Sequence, residues 1–169
     1  MNRNWNKDWR KSIIIMSGGF DPIHKGHLRM FREASWLGHH VVVGLNSDEW
    51  LTRKKGKPFM NFEERKEIIE GFKYVNQVIP FDDSDDTASD LIRRVYNIYE
   101  GEEHEHEYED FDHMGMVGYY QLYFANGGDR TTDNVPEMKV CKELDVTMLW
   151  GVGGGKIQSS SWLINGGKE

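Results

Sequence analysis

Ten consecutive residues, Gly18-Gly19-Phe20-Asp21-Pro22-Ile23-His24-Lys25-Gly26-His27, hold the densest chemistry in this chain. Glycines at 18 and 19 let a backbone approach an anion closely, and a helix starting just beyond them offers free N–H groups with a partial positive charge. His24 and His27 stand three apart, so within a first helical turn both imidazoles face one side, each with a hydrogen bond to donate. A lone histidine beside a turn is usually structural. Here strand, glycines and histidine spacing coincide, and the combination reads as a cradle for phosphate.

Such a cradle needs a rigid platform, and the flanking sequence predicts one. Ile13, Ile14, Ile15 and Met16 form a continuous apolar run that stops at Ser17-Gly18-Gly19, the pattern of a strand buried on both faces in a parallel sheet. After Pro22 a helical stretch places Leu28, Phe31 and Ala34 or Ser35 on one face and closes at Gly38. Val41, Val42, Val43 and Leu45 predict a second strand, followed by a basic loop from Arg53 to Lys57. Asn61 with Glu64 forms a capping box for a helix bearing Ile68, Ile69 and Phe72. Val75, Val78 and Ile79 supply a third strand, and Thr87 with Asp90 caps a helix bearing Leu91, Ile92, Val95 and Ile98. A strand over 119–124, a helix over 136–144, a strand over 146–152 and a helix over 159–164 complete the alternation. The expected fold class is α/β: a three-layer α/β/α arrangement around a mainly parallel five-stranded sheet.

The totals limit the rest. A chain of 169 residues suits one domain, read here as 12–169 behind an arm at 1–11 that carries Trp5 and Trp9. An inserted surface loop at about 100–115 is dense in Glu, Asp and His. Its His104, His106 and His113 lack the rigid spacing of a metal site, so no protein-held metal is expected. A net charge of -7 disfavours a nucleic-acid partner. The single cysteine, Cys141, sits among apolar helix neighbours, which points to burial rather than reactivity. With no leader and no long apolar run, a cytoplasmic protein without a membrane partner is expected.

The stretch from Gly18 to His27 resembles the signature G-x-F-D-x-x-H-x-G-H of the cytidylyltransferase-like nucleotidyltransferase superfamily. The resemblance implies a Rossmann-like fold that binds a nucleoside triphosphate with magnesium, with His24 and His27 holding the phosphates through the transition state. Gly18, Gly19, Phe20, Asp21 and Gly26 fall in the same signature and are implied to shape the nucleotide site. Further matches follow in the family's order. Asn46-Ser47-Asp48 ends the second strand; Lys54, Lys55 and Lys57 fill the basic stretch, where they either meet acceptor phosphate or form a solvated loop. Arg65, after Glu64, is either a nucleotide ligand or a helix-surface ion-pair residue. Asn126-Gly127-Gly128-Asp129 and Pro136-Glu137 resemble the sugar-phosphate branch, especially the adenylyltransferase domain of ADP-heptose synthases. Gly128 and Asp129 there lie near the nucleotide, although Asp129 also reads as a turn residue. Ser159, Ser160 and Ser161 are similar to the serine/threonine motif that opens the last helix and contacts the triphosphate.

An acceptor phosphate is already anionic at neutral pH and can attack an α-phosphate without a general base. Catalysis then comes from in-line positioning and from neutralising charge on the departing pyrophosphate, with His24, His27, Lys55 and Lys156 as candidates. Gly151-Val152-Gly153-Gly154-Gly155-Lys156 imitates an ATPase P-loop, but the glycine interval is one residue short and Ile157 stands where Ser or Thr is needed. The implied partners are ATP or CTP and a small phosphorylated acceptor, a sugar or polyol phosphate first. Phosphopantetheine, nicotinamide mononucleotide and glycerol 3-phosphate are alternatives, as is a binding module without turnover. The family also implies a homodimer. Gln158, where an apolar residue is common, and the acidic insertion depart from the pattern.

Overall fold

The apolar runs become strands because each is too short and too continuous for an amphipathic helix and lies between glycines or capping residues. In the computed structural model, which describes residues 11–100, 120–127 and 135–167, the order is β1 (Lys11–Gly18), α1 (Lys25–Leu37), β2 (His40–Leu45), α2 (Asp48–Lys55), α3 (Phe62–Glu70), β3 (Gln77–Pro80), α4 (Ser89–Glu100), β4 (Tyr120–Gly127), α5 (Met138–Glu143), β5 (Thr147–Val152) and α6 (Ser160–Ile164). The strands pair in the order β3-β2-β1-β4-β5, every pair parallel. The expected Rossmann-like α/β fold is the observed one. Of the expected arm at 1–11, Lys11 opens β1 and residues 1–10 lie outside the described residues; of the insertion at about 100–115, Glu100 ends α4 and the rest, with its three histidines, lies outside them too.

Both faces of the sheet are covered, which is why β1 carries no polar alternation. Ile13 and Ile15 pack with Leu91, Ile92 and Val95 of α4 and with Val140 and Cys141 of α5. Ile14 and Met16 pack on the other face with Phe31 and Ala34 of α1 and Ile69 of α3. Cys141 is buried, and burial together with nearby Glu137 pushes its thiol up to about 11, as expected of an unreactive core cysteine.

The predicted capping residue of α3 is in place: the Asn61 side chain accepts from the Glu64 N–H at 2.9 Å. One element differs from the expectation. The basic stretch 53–57 is not all loop; Arg53, Lys54 and Lys55 form the last turn of α2, where cations complement the helix dipole, Gly56 ends it at φ 89°, and Lys57 follows outside it. Only Leu51 of α2 is buried, so the helix has no apolar stripe by which sequence alone would announce it.

The chain leaves β1 toward β2 and β3 on one side, then returns across the centre to β4 and β5. The connections following β1 and β4 therefore diverge and open a crevice at the carboxyl ends of the strands. A β-bulge lies at its wall, where Gly127 and Val152 line it. Ala125 pairs with Leu149 but Gly127 pairs with Val152, and Gly151 takes φ 67° to absorb the extra residue on β5.

Candidate active site

At that switch point lies a cavity of about 360 Å³. Its walls come from the end of β1 (Ser17, Gly18, Gly19), the first turns of α1 (His24, Gly26, His27, Met30), the end of β4 (Ala125, Asn126, Gly127) and the stretch from Val152 to Ser160. The cradle read from sequence is thus one side of a built pocket.

The two histidines form a reciprocal capping box at the start of α1. His24 is the N-cap, and its Nδ1 accepts from the Gly26 N–H at 3.1 Å; the Nδ1 of His27 accepts from the His24 N–H at 3.3 Å. An imidazole nitrogen that accepts carries no proton, so in both rings the proton sits on Nε2. The rings stack 3.7 Å apart, and the edge of Phe20 meets His27 with centroids 4.9 Å apart. Burial first, then the charge of Lys55, lowers the pKa of His24; burial, then His24, then Lys55 lowers that of His27 to about 3. At neutral pH both rings are uncharged donors with fixed tautomers.

The glycines are explained by space. A Cβ on Gly26 would stand 2.9 Å from the His24 ring, and one on Gly19 would stand 2.8 Å from the Leu51 side chain. Gly18 is crowded by the buried ring of Phe20, which itself holds φ 48°. Asp21 is buried and its carboxylate is taken: Oδ2 accepts from the Phe59 N–H and Oδ1 from the Met60 N–H, each at 2.7 Å. Lys55 donates from Nζ to the Asp21 carbonyl at 3.0 Å, which places its charge beside the histidine turn.

Arg65 departs from both sequence readings. It is fully buried and does not line the pocket. Its guanidinium donates to the carbonyls of Met60, Gly19 and Asn46 at 3.1, 2.7 and 2.9 Å and to Asp48 Oδ1 at 2.6 Å. It is a strut tying α3 to the glycine turn and to the end of β2, not a surface ion pair and not a free ligand. None of Lys54, Lys55 and Lys57 lines the pocket: Lys55 is held at the Asp21 carbonyl, Lys54 has its Nζ 3.1 Å from Asp86 Oδ2, and Lys57 is exposed.

Toward the C-terminus the structure brings in Lys156, Ser159 and Ser160. Ser159 caps α6 through Trp162 and shares a 2.6 Å hydrogen bond with Ser161, whereas Ser160 donates to the Pro22 carbonyl at 2.9 Å. Lys156 lies 5.0 Å over the Trp162 ring. Gly128 and Asp129 lie outside the described residues. Sequence reading gives no site role to Met30, Asn126, Gly153, Gly154, Gly155 or Gln158, all of which are in the lining. The glycine run signalled close approach but was weighed only against the P-loop template. Asn126 is buried, and its Oδ1 has no hydrogen-bond partner among the described residues.

The profile of the family described as Cytidylyltransferase-like matches residues 15–146, which takes in the second half of β1, the histidine turn and strands β2, β3 and β4. The chain belongs to the cytidylyltransferase-like family. Among curated relatives of this cytidylyltransferase-like chain, the glycerol-3-phosphate cytidylyltransferase of Bacillus subtilis (strain 168) is 33% identical over 86 residues, 51% of this chain and 67% of that protein. The bifunctional protein HldE of Wolinella succinogenes is 35% identical over 94 residues, 53% of this chain but only 19% of the relative's length. Among solved structures, the lipopolysaccharide core biosynthesis protein from Thermoplasma volcanium GSS1 superposes with a TM-score of 0.56 at 20% identity, covering 83% of this chain and 94% of that one, a likeness of fold. Among the described residues no helix is long and apolar enough to cross a membrane.

Proposed function

We propose that the chain transfers a nucleoside monophosphate from ATP or CTP to a small phosphorylated acceptor, a sugar or polyol phosphate, and releases pyrophosphate. The observation that carries this reading is the capping box of His24 and His27. It sets two neutral imidazoles, their Nδ1 atoms occupied and Nε2–H left to donate, at a helix N-terminus in the lining of a glycine-walled pocket, where donation needs no proton to be moved. Family membership and the glycerol-3-phosphate cytidylyltransferase relative support the same chemistry.

In this reading an oxygen of the acceptor phosphate attacks the α-phosphorus in line, the bond to the bridging oxygen breaks, and negative charge passes to the departing pyrophosphate. Charge on the leaving group is met by His24, His27, Lys55 and Lys156 and by hydroxyls of the Ser159 to Ser161 stretch; a contact of this kind is worth about 3 kcal/mol. Backbone at Gly18, Gly19 and Gly26 leaves room for the phosphates, while Phe20 and Asp21 shape the turn. Magnesium is taken to arrive on the triphosphate. Among the described residues no three His, Cys, Asp or Glu side chains converge on one cation position, so the phosphates would supply its main ligands. Lys57, exposed and in no ion pair among the described residues, is assigned with Lys55 to the incoming acceptor; Lys54 would have to leave Asp86 to join them.

The test is direct. The protein is incubated with ATP or CTP, magnesium and a panel of sugar, polyol and other phosphates, and pyrophosphate is measured. Release that needs both a triphosphate and one acceptor class supports the reading; triphosphate-dependent melting shifts with no pyrophosphate from any pair would make the chain a binding module instead.

A further inference from the structure

One wall of the pocket, residues 153–159, belongs to no helix or strand. Three successive glycines begin it, so its free backbone has more conformational freedom to lose than almost any other sequence would have. Yet this stretch presents Lys156 and Ser159 to the cavity. Two side-chain hydrogen bonds seat it. At one end Glu33 of α1 accepts from the Gly153 N–H through Oε2 at 2.8 Å, and at the other Ser160 donates to the Pro22 carbonyl at 2.9 Å.

The first contact is also a close one. Gly153 and Gly154 hold φ of 89° and 68°, in the left-handed region. A Cβ on Gly153 would stand 3.0 Å from the Met30 Cα, and one on Gly154 would stand 2.7 Å from the Arg29 guanidinium. The loop therefore lies directly on α1, within a turn of His27 at Arg29 and Met30 and reaching on to Glu33. Among the described residues Glu33 pairs with no cation, and this amide is its partner.

We infer that Glu33 is a positioning residue for the nucleotide: its carboxylate seats the glycine loop on α1, the helix whose N-terminus carries His24 and His27, and so fixes two walls of the pocket relative to each other. The inference rests on the nucleotidyl-transfer reading. Without this tie, ordering the loop must be done at the expense of triphosphate binding, whereas the complex once formed keeps its donors. Affinity should suffer and turnover should not.

The experiment compares the wild type with Glu33→Ala and Glu33→Gln, because a carboxamide keeps the acceptor oxygen and loses only the charge. ATP and CTP binding is measured by calorimetry, KM and kcat by pyrophosphate release, the Gly153 amide by NMR hydrogen exchange, and Tm as a check on folding. Glu33→Ala is expected to raise Kd and KM about tenfold with kcat within about twofold, and to speed exchange at Gly153; Glu33→Gln should restore all of these. Wild-type KM in Glu33→Ala, or a Glu33→Gln variant as impaired as Glu33→Ala, would overturn the inference. If the wild type takes up neither triphosphate, the nucleotidyl-transfer reading itself has failed; if it does and Glu33→Ala matches it, the seating role alone has failed.

Discussion

A histidine that must donate to phosphate at neutral pH needs its proton on the outward nitrogen, and a backbone N–H on the inward one settles that. In this chain each ring of the pair receives such an N–H from the same helical turn, so the cap that starts α1 also sets the chemistry of the pocket. His27→Ala removes one donor to the growing charge and should lower turnover at least about a hundredfold with the fold intact by circular dichroism. An unchanged rate would take His27 out of the mechanism. Acid stability follows from the same burial. In the unfolded chain His27 titrates near 6.5 and in the folded one at about 3, so between those values the unfolded state binds more protons and stability is lost as pH falls. The Tm of the wild type should therefore drop more steeply from pH 6.5 toward pH 3 than that of His27→Asn; parallel slopes would show that His27 is not the titrating group.

At the scale of elements, the turn that carries this chemistry is held from behind by α2 and α3. Arg65 donates to three carbonyls from three segments, and Asp21 accepts from two consecutive amides in the turn before α3. Arg65→Met would leave those carbonyls and the partly exposed Asp48 carboxylate without this donor, at a cost of about 2 kcal/mol, readable as a lowered urea midpoint. A midpoint within error of the wild type would mean that the strut is not needed. This residue also marks where sequence stops being informative. Asn61 and Glu64 announced the start of α3 because capping is local. What Arg65 touches is decided by backbone brought in from residues 19 and 46, and no local pattern carries that. The last turn of α2 was hidden for a related reason: a helix that buries one leucine has no periodicity to read.

At the scale of the molecule, the alternation of apolar runs and capped helices made the parallel sheet legible, since only strands covered on both faces can be continuously apolar. The strand order, and with it the crevice between β1 and β4, was not written in any one segment. It explains why glycines as far along the chain as 153–155 belong to the same site as Gly19. A chain of net charge -7 can hold a polyanion only where local donors outweigh the whole, and those donors sit on both sides of the switch point. Triphosphate binding should consequently slow hydrogen exchange together at 18–27, at 125–127 and at 153–160, while β3, at the far edge of the sheet, keeps the rates of the free protein. Protection confined to one of those segments, or centred on β3, would mean that the ligand does not bridge the two halves of the sheet, and the pocket at the switch point would not be its site.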